Sequence, residues 1–211
     1  MAKIIITSGP TRQYLDPVRY LTNGSSGRMG AALAQAAIDL GHEVTIVTGP
    51  VQVDYPKEAC RIDVMTTHEM LVASQAAFHD CDGLIGAAAP CDYEPKVVHS
   101  QKMSKSGKPI QLDLVETPDI VATIAANKRP GQWVVGFALE TEDARFRSIV
   151  KMQKKHCDMM VSNGPTAIDS LANEVEILHR DGRLLDTIRG DKKFVAEGIL
   201  RWIQKQLIVS I

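Results

Sequence analysis

Short apolar runs rich in β-branched residues alternate with helix-length stretches through most of this chain, and that alternation restricts the fold more than any other feature. The runs are KIIITSG, HEVTIVTGP, CRIDVMT, DGLIGAAAP, WVVGFALE and DMMVSNG. Each is too short for a helix and ends in small or turn-forming residues, which reads as a buried strand. Between them lie GSSGRMGAALAQAAIDLG, HEMLVASQAAF, TPDIVATIAAN and DARFRSIVKMQKKH, all with helical composition. Thr67 is expected to cap the second helix, and Thr117, followed by Pro118 at the first helical position and Asp119 in the first turn, the third. EVEILHRDGRLLDTI carries an Asp181-Gly182 turn between apolar runs and predicts a hairpin, with KKFVAEGILRWIQKQL as a final helix. The order predicts an α/β fold: a doubly wound, mostly parallel Rossmann-like sheet with a C-terminal β-hairpin. Ligands of such sheets bind at the C-terminal strand ends.

The 211 residues suit one domain, residues 1–211, with a sizeable core. With 24 basic and 25 acidic residues the chain lacks the charge excess of a nucleic-acid or membrane surface. No apolar run is long enough to cross a bilayer, and MAKIIITSGP enters a strand at once, without a signal peptide. The four cysteines, Cys60, Cys81, Cys91 and Cys157, are widely spaced and form no CxxC pair. Reduced thiols and a cytoplasmic location are the expectation. No His, Cys, Asp or Glu group has metal-ligand spacing.

Gly24, Gly27 and Gly30 have the spacing G-x-x-G-x-x-G, which differs from the dinucleotide fingerprint, and they lie well beyond the first strand. The second strand ends in Thr48-Gly49, where a dinucleotide site needs a carboxylate for the ribose. Tyr93 and Lys96 are three apart and miss the Tyr-x-x-x-Lys pair of short-chain reductases. An NAD(P)-binding or non-catalytic Rossmann-type module stays open as the alternative reading. Glycine and serine at the start of the first helix favour an anion there, because they leave backbone N–H groups accessible.

From about 90 to 116 the chain shows no clear period and reads as a long flap loop. Between Lys96 and Leu112 it carries Lys96, Lys102, Lys105 and Lys108 and no acid. A solvated surface loop is one reading; a cationic flap that closes over a polyphosphate is the other. Residues 102–106 spell KMSKS, the triphosphate loop of class I aminoacyl-tRNA synthetases. Those enzymes also need a HIGH tetrapeptide and tRNA-binding domains, neither of which is here, so the shared feature is a physical demand for mobile lysines.

Taken together, ITSGPTRQYLDPVRYLTNGSSGRMG, VTIVTGPV, DVMTTHEM, GAAAPCDYEP, KMSK, LVETPDIVATIA, VVGFALET and DMMVSNG follow one another along nearly the whole chain. This ordered set resembles phosphopantothenate–cysteine ligase (phosphopantothenoylcysteine synthetase), commonly the C-terminal half of bacterial bifunctional coenzyme A biosynthesis proteins. The resemblance implies that CTP or ATP, with Mg²⁺, activates 4′-phosphopantothenate as an acyl-nucleotidylate, which L-cysteine then converts to an amide. It implies a homodimer, with the Asp181-Gly182 hairpin as a candidate pairing element. The flavin-binding decarboxylase half usual in such proteins is not in these 211 residues, so the chain is either a free-standing ligase with a separate flavin-dependent decarboxylase partner or an excised piece of a longer protein.

By position, the resemblance assigns Asn23 to the acyl intermediate and Lys102 to the nucleotide. Ser25, Ser26 and Gly27 would meet phosphate oxygens, and Gly86, Ala87 and Ala88 would border the nucleotide. Asp92 would take ribose hydroxyls, Pro118, Asp119, Ile120 and Val121 would form a receiving helix start, and Phe137 would lie beside the base. Lys105 belongs to the flap, where Ser104 departs from the usual Lys-x-Lys-Lys. Lys151 and Lys155 are four apart, so both ammonium groups share one helix face. Arg12, Asp16 and Arg19 lie in the first motif without separate roles, although an arginine there suits a substrate phosphate.

Overall fold

The computed structural model describes residues 1–140, 142–163 and 173–208; Thr141 of VVGFALET and Gly164 of DMMVSNG lie outside the described residues. The parallel strands are β1 (Lys3–Ser8), β4 (Glu43–Thr48), β5 (Cys60–Asp63), β6 (Gly83–Gly86), β9 (Trp133–Leu139) and β10 (Met159–Asn163). Two antiparallel strands, β11 (Asn173–His179) and β12 (Leu184–Gly190), extend the same sheet as the expected hairpin. The strand order is β12-β11-β10-β9-β6-β1-β4-β5. Its parallel part reverses direction between β1 and β6, the crevice where doubly wound sheets hold ligands.

Side-chain alternation sorts the strands' apolar residues onto two cores. Ile4, Ile6, Ile85, Val135 and Val161 face α1 (Arg28–Asp39) and α5 (Lys192–Gln206). Ile5, Leu84, Val134 and Met160 face α2 (Thr67–Phe78), α3 (Ile120–Ala126) and α4 (Ala144–Lys154). Isoleucines such as Ile4, Ile5 and Ile6, fully buried, each contribute roughly 1.5–3 kcal/mol by leaving water. Helix α1 lies close on β1 because Gly30 faces Ser8, where a β-carbon would stand 2.5 Å from the Ser8 Cβ.

Several local expectations are corrected. Helix α2 is capped by Thr66, not Thr67: the Thr66 hydroxyl accepts from the Glu69 N–H, and the Glu69 carboxylate accepts from the Thr66 N–H. This capping box wins because Glu69 stands three residues after Thr66. Thr67 is instead buried, bonded to Thr11 at 2.8 Å. Asp119, not Thr117, caps α3, and its carboxylate accepts from the Ala122 N–H at 3.0 Å. Pro118 therefore precedes the helix. The segment after β1 contains a short hairpin, β2 (Arg12–Tyr14) and β3 (Tyr20–Thr22). The 90–116 stretch is not loop throughout: β7 (Tyr93–Pro95) and β8 (Leu114–Glu116) pair at its base as an antiparallel ribbon.

Candidate active site

Two adjoining clefts open at the C-terminal ends of β6, β9 and β10. The first has a volume of about 440 Å³ and is lined by Asn23–Gly30, Ala87–Pro90, Asp92, Phe137, Lys151 and Lys155, among others. The second, about 500 Å³, is lined by Gly86, Cys91, Asp92, Pro118–Val121 and Phe137. Ala88, Pro90, Asp92, Val121, Phe137 and Lys155 border both, so the two form one continuous groove.

One wall is the entry to α1. Gly27 is its N-cap with φ +73°, no side chain caps it, and no acid lies in its first turn. The N-terminal N–H groups are thus available to an anion. A β-carbon on Gly27 would adopt a conformation that L-residues rarely take, and would press on Tyr55 and Val51.

The floor is the loop after β6, fixed from several directions. Ala89 N–H donates to Gly9 O at 2.9 Å and Cys91 N–H to the Thr11 hydroxyl at 2.8 Å. Cys91 O accepts from the Thr117 hydroxyl at 2.6 Å. Asn23 adds a tie of its own, its Nδ2 donating to Pro90 O at 2.8 Å. That bond sets the amide's orientation at the meeting point of the α1 wall and the floor. Burial pushes the Cys91 thiol up, and the Asp92 charge adds to the shift. Cys91 is therefore a protonated thiol at neutral pH and a poor nucleophile.

The opposite wall is α4. Lys151 and Lys155 share its cleft-facing side, but neither stands as an isolated charge. Lys151 pairs with the buried carboxylate of Glu140 just after β9. Lys155 Nζ lies 3.0 Å from Asp119 Oδ2. Because Asp119 also caps α3, the start of α3 already has its own anionic partner. Among the described residues, no group of three or more His, Cys, Asp or Glu is placed to hold a metal ion.

Asn23, Ser25, Ser26, Gly27, Ala87, Ala88, Asp92, Phe137, Lys151 and Lys155 thus line the first cleft together, and Gly86, Pro118, Asp119, Ile120 and Val121 line the second. Lys102 and Lys105 line neither; both are exposed on the flap. Arg12 stacks over Tyr20 at 4.4 Å, while Arg19 pairs with Asp16 at 2.8 Å. Sequence reasoning missed Glu140, Asn163 and Lys192. Asn163 ends β10 beside the cleft, and the rule that such sheets bind ligands at their C-terminal strand ends could have found it. The dinucleotide reading gains no support: Thr48 ends β4, its hydroxyl held by Tyr55 at 2.7 Å.

Residues 1–207 match the family model described as the DNA/pantothenate metabolism flavoprotein C-terminal domain. The coenzyme A biosynthesis bifunctional protein CoaBC of Escherichia coli K12 is 41% identical over 186 residues, 85% of this chain and 46% of that protein. The chain therefore spans less than half the length of that curated relative. A crystal structure of the C-terminal domain of CoaBC superposes with a TM-score of 0.82 at 34% identity, covering 98% of this chain and 96% of that one. A Cab2 mutant in complex with phosphopantothenate-cysteine superposes with a TM-score of 0.77 at 16% identity, covering 98% of this chain and 86% of that one, a likeness of fold alone. The chain belongs to the DNA/pantothenate metabolism flavoprotein C-terminal domain family and is similar over nearly its whole length to the C-terminal domain of the coenzyme A biosynthesis bifunctional protein CoaBC.

Proposed function

We propose that this domain joins 4′-phosphopantothenate to L-cysteine at the expense of CTP or ATP, brought in with Mg²⁺. The observation that carries this reading is the convergence of Asn23, the uncapped α1 N-terminus, Asp92, Lys151 and Lys155 on one groove at the sheet's reversal point. In the first step a carboxylate oxygen attacks the α-phosphorus, the bond to the β-phosphate oxygen breaks, and pyrophosphate leaves. In the second the cysteine amine attacks the acyl carbon, the nucleoside monophosphate departs, and the amine gives up a proton.

The chain's own groups match those demands. The α1 N–H groups and the two α4 lysines face the charge of the polyphosphate, leaving little covalent work for the protein. Asp92 suits ribose hydroxyls, Phe137 the base, and the fixed Asn23 amide the acyl carbonyl. Lys102 and Lys105 reach the phosphates only if the flap folds over the groove. The metal comes as part of the nucleotide, held mainly by phosphate oxygens and water. The phosphopantothenate-cysteine bound by Cab2, a protein of the same fold, supports the choice of substrates. Homodimerisation, a flavin-dependent decarboxylase partner and a cytoplasmic location belong to the same proposal. No helix among the described residues is long and apolar enough to cross a membrane.

The test is pyrophosphate release from CTP and from ATP, each with and without phosphopantothenate. Release that requires phosphopantothenate, followed by cysteine-dependent amide formation, supports the reading. Nucleotide turnover indifferent to phosphopantothenate refutes it.

A further inference from the structure

The flap is tied to the β2–β3 hairpin at one defined point. The Asp16 carboxylate is fully buried and serves both sides of that joint. Its Oδ1 accepts from the backbone N–H groups of Val18 and Arg19, each at 2.8 Å, which closes the hairpin turn. Its Oδ2 accepts from the Met103 N–H at 3.1 Å and from Arg19 Nη1 at 2.8 Å. The same Arg19 nitrogen donates to Met103 O at 3.0 Å. Met103 is therefore gripped through both backbone groups by one ion pair. A third bond, from His99 N–H to Leu15 O at 2.9 Å, runs alongside. Elsewhere from 97 to 112 the flap is exposed and forms no strand or helix.

We propose that Asp16 and Arg19 are positioning residues that latch Met103 and so anchor the flap beside Lys102, narrowing the range of positions from which it folds over the nucleotide phosphates. The latch rests on the functional reading above for its purpose, but its existence is a matter of flap geometry alone. A buried carboxylate committed to an exposed loop has a clear physical effect. It removes much of the loop's freedom before the nucleotide arrives, so that ordering is not charged against binding. With the latch broken, the flap samples more positions, its closed form is a smaller fraction of them, and apparent nucleotide affinity falls accordingly.

Asp16→Asn is the direct test. The amide keeps an oxygen for the Val18 and Arg19 N–H groups but turns an NH₂ toward the Met103 N–H and Arg19 Nη1, donors facing donors. Limited trypsin digestion without ligand, read by mass spectrometry, should show cleavage after Lys102 and Lys105 accelerated about tenfold, with sites outside the flap unchanged. In the ligase assay the nucleotide KM should rise about tenfold, with kcat and the phosphopantothenate KM held near those of the parent. If Asp16→Asn fails to fold, Arg19→Gln keeps the turn bonds and should give the same cleavage pattern, with partial return of protection in Arg19→Lys. Flap cleavage unchanged in a folded variant overturns the latch. So does a fall in kcat with KM unmoved. A parent chain without ligase activity sinks the functional reading, while the cleavage measurement, which needs no substrate, still decides the latch.

Discussion

Lys155 Nζ stands 3.0 Å from Asp119 Oδ2, joining the end of α4 to the cap of α3 at the border of both clefts. An incoming polyphosphate must compete with that carboxylate for the ammonium group. Asp119→Asn keeps an oxygen for the Ala122 N–H and releases Lys155, so nucleotide binding should tighten, by about threefold for a partly exposed pair. Lys155→Ala should weaken it. Calorimetric titration with the nucleotide checks both, and weaker binding by Asp119→Asn would show that its charge helps rather than competes.

Lys151 differs from Lys155 in what its loss exposes. Its partner Glu140 is buried, so Lys151→Ala leaves a carboxylate in the protein without its counter-ion, whereas Lys155→Ala leaves only the more exposed Asp119. We predict that both variants lose nucleotide affinity but that only Lys151→Ala also loses stability, by about 1–3 kcal/mol. Restoring stability with Lys151→Ala/Glu140→Gln, without restoring affinity, would separate the two roles. Urea midpoints read the first quantity and nucleotide titration the second.

The fold was legible because strand and helix alternate with apolar runs that have one possible use. Ile4, Ile5 and Ile6 could only be a strand buried on both faces. The three-residue strands of the β2–β3 hairpin and the β7–β8 ribbon were not legible, since three residues are too few to show a period. The helix starts shifted by one or two positions for a related reason. Thr66 and Thr67 are equal candidates until Glu69 is counted, and Asp119 competes with Thr117 two residues away. In the site, the resemblance singles out Lys151 and Lys155, and their spacing puts both on one helix face. Their carboxylate partners were not legible, because Glu140 and Asp119 belong to other elements and only the fold brings them near. The same holds for Asp16 and Met103, 87 positions apart in the chain.

Gly30 sets two opposing effects against each other. Alanine in a helix interior gains about 1 kcal/mol of propensity over glycine. At this position, however, the added methyl meets the Ser8 side chain and backbone, at 2.5 Å from its Cβ, and overpacking of that kind costs about 1–3 kcal/mol. Serine cannot rotate its own Cβ away, so the steric effect should win. Gly30→Ala should lower the urea midpoint and, by lifting the α1 start from β1, weaken nucleotide binding as well. A variant more stable than the parent would show that α1 can move outward at no cost.

Asp16 supplies a pH dependence with a definite sign. Burial pushes its carboxyl up, but the N–H groups of Val18, Met103 and Arg19 and the Arg19 guanidinium outweigh it, holding the group down at about 2 instead of the ordinary 3.8. A lowered pKa means that the latch contributes its full stability above about pH 4 and loses it as pH falls toward 2. The stability difference between the parent and Asp16→Asn should therefore be constant near neutrality and shrink between pH 4 and 2. Thermal melts across that range, with the Met103 amide resonance as a local probe, report it. A difference that instead grows with acidity would mean that the protonated form makes the stronger latch, and the charge on Asp16 would then have no part in holding the flap.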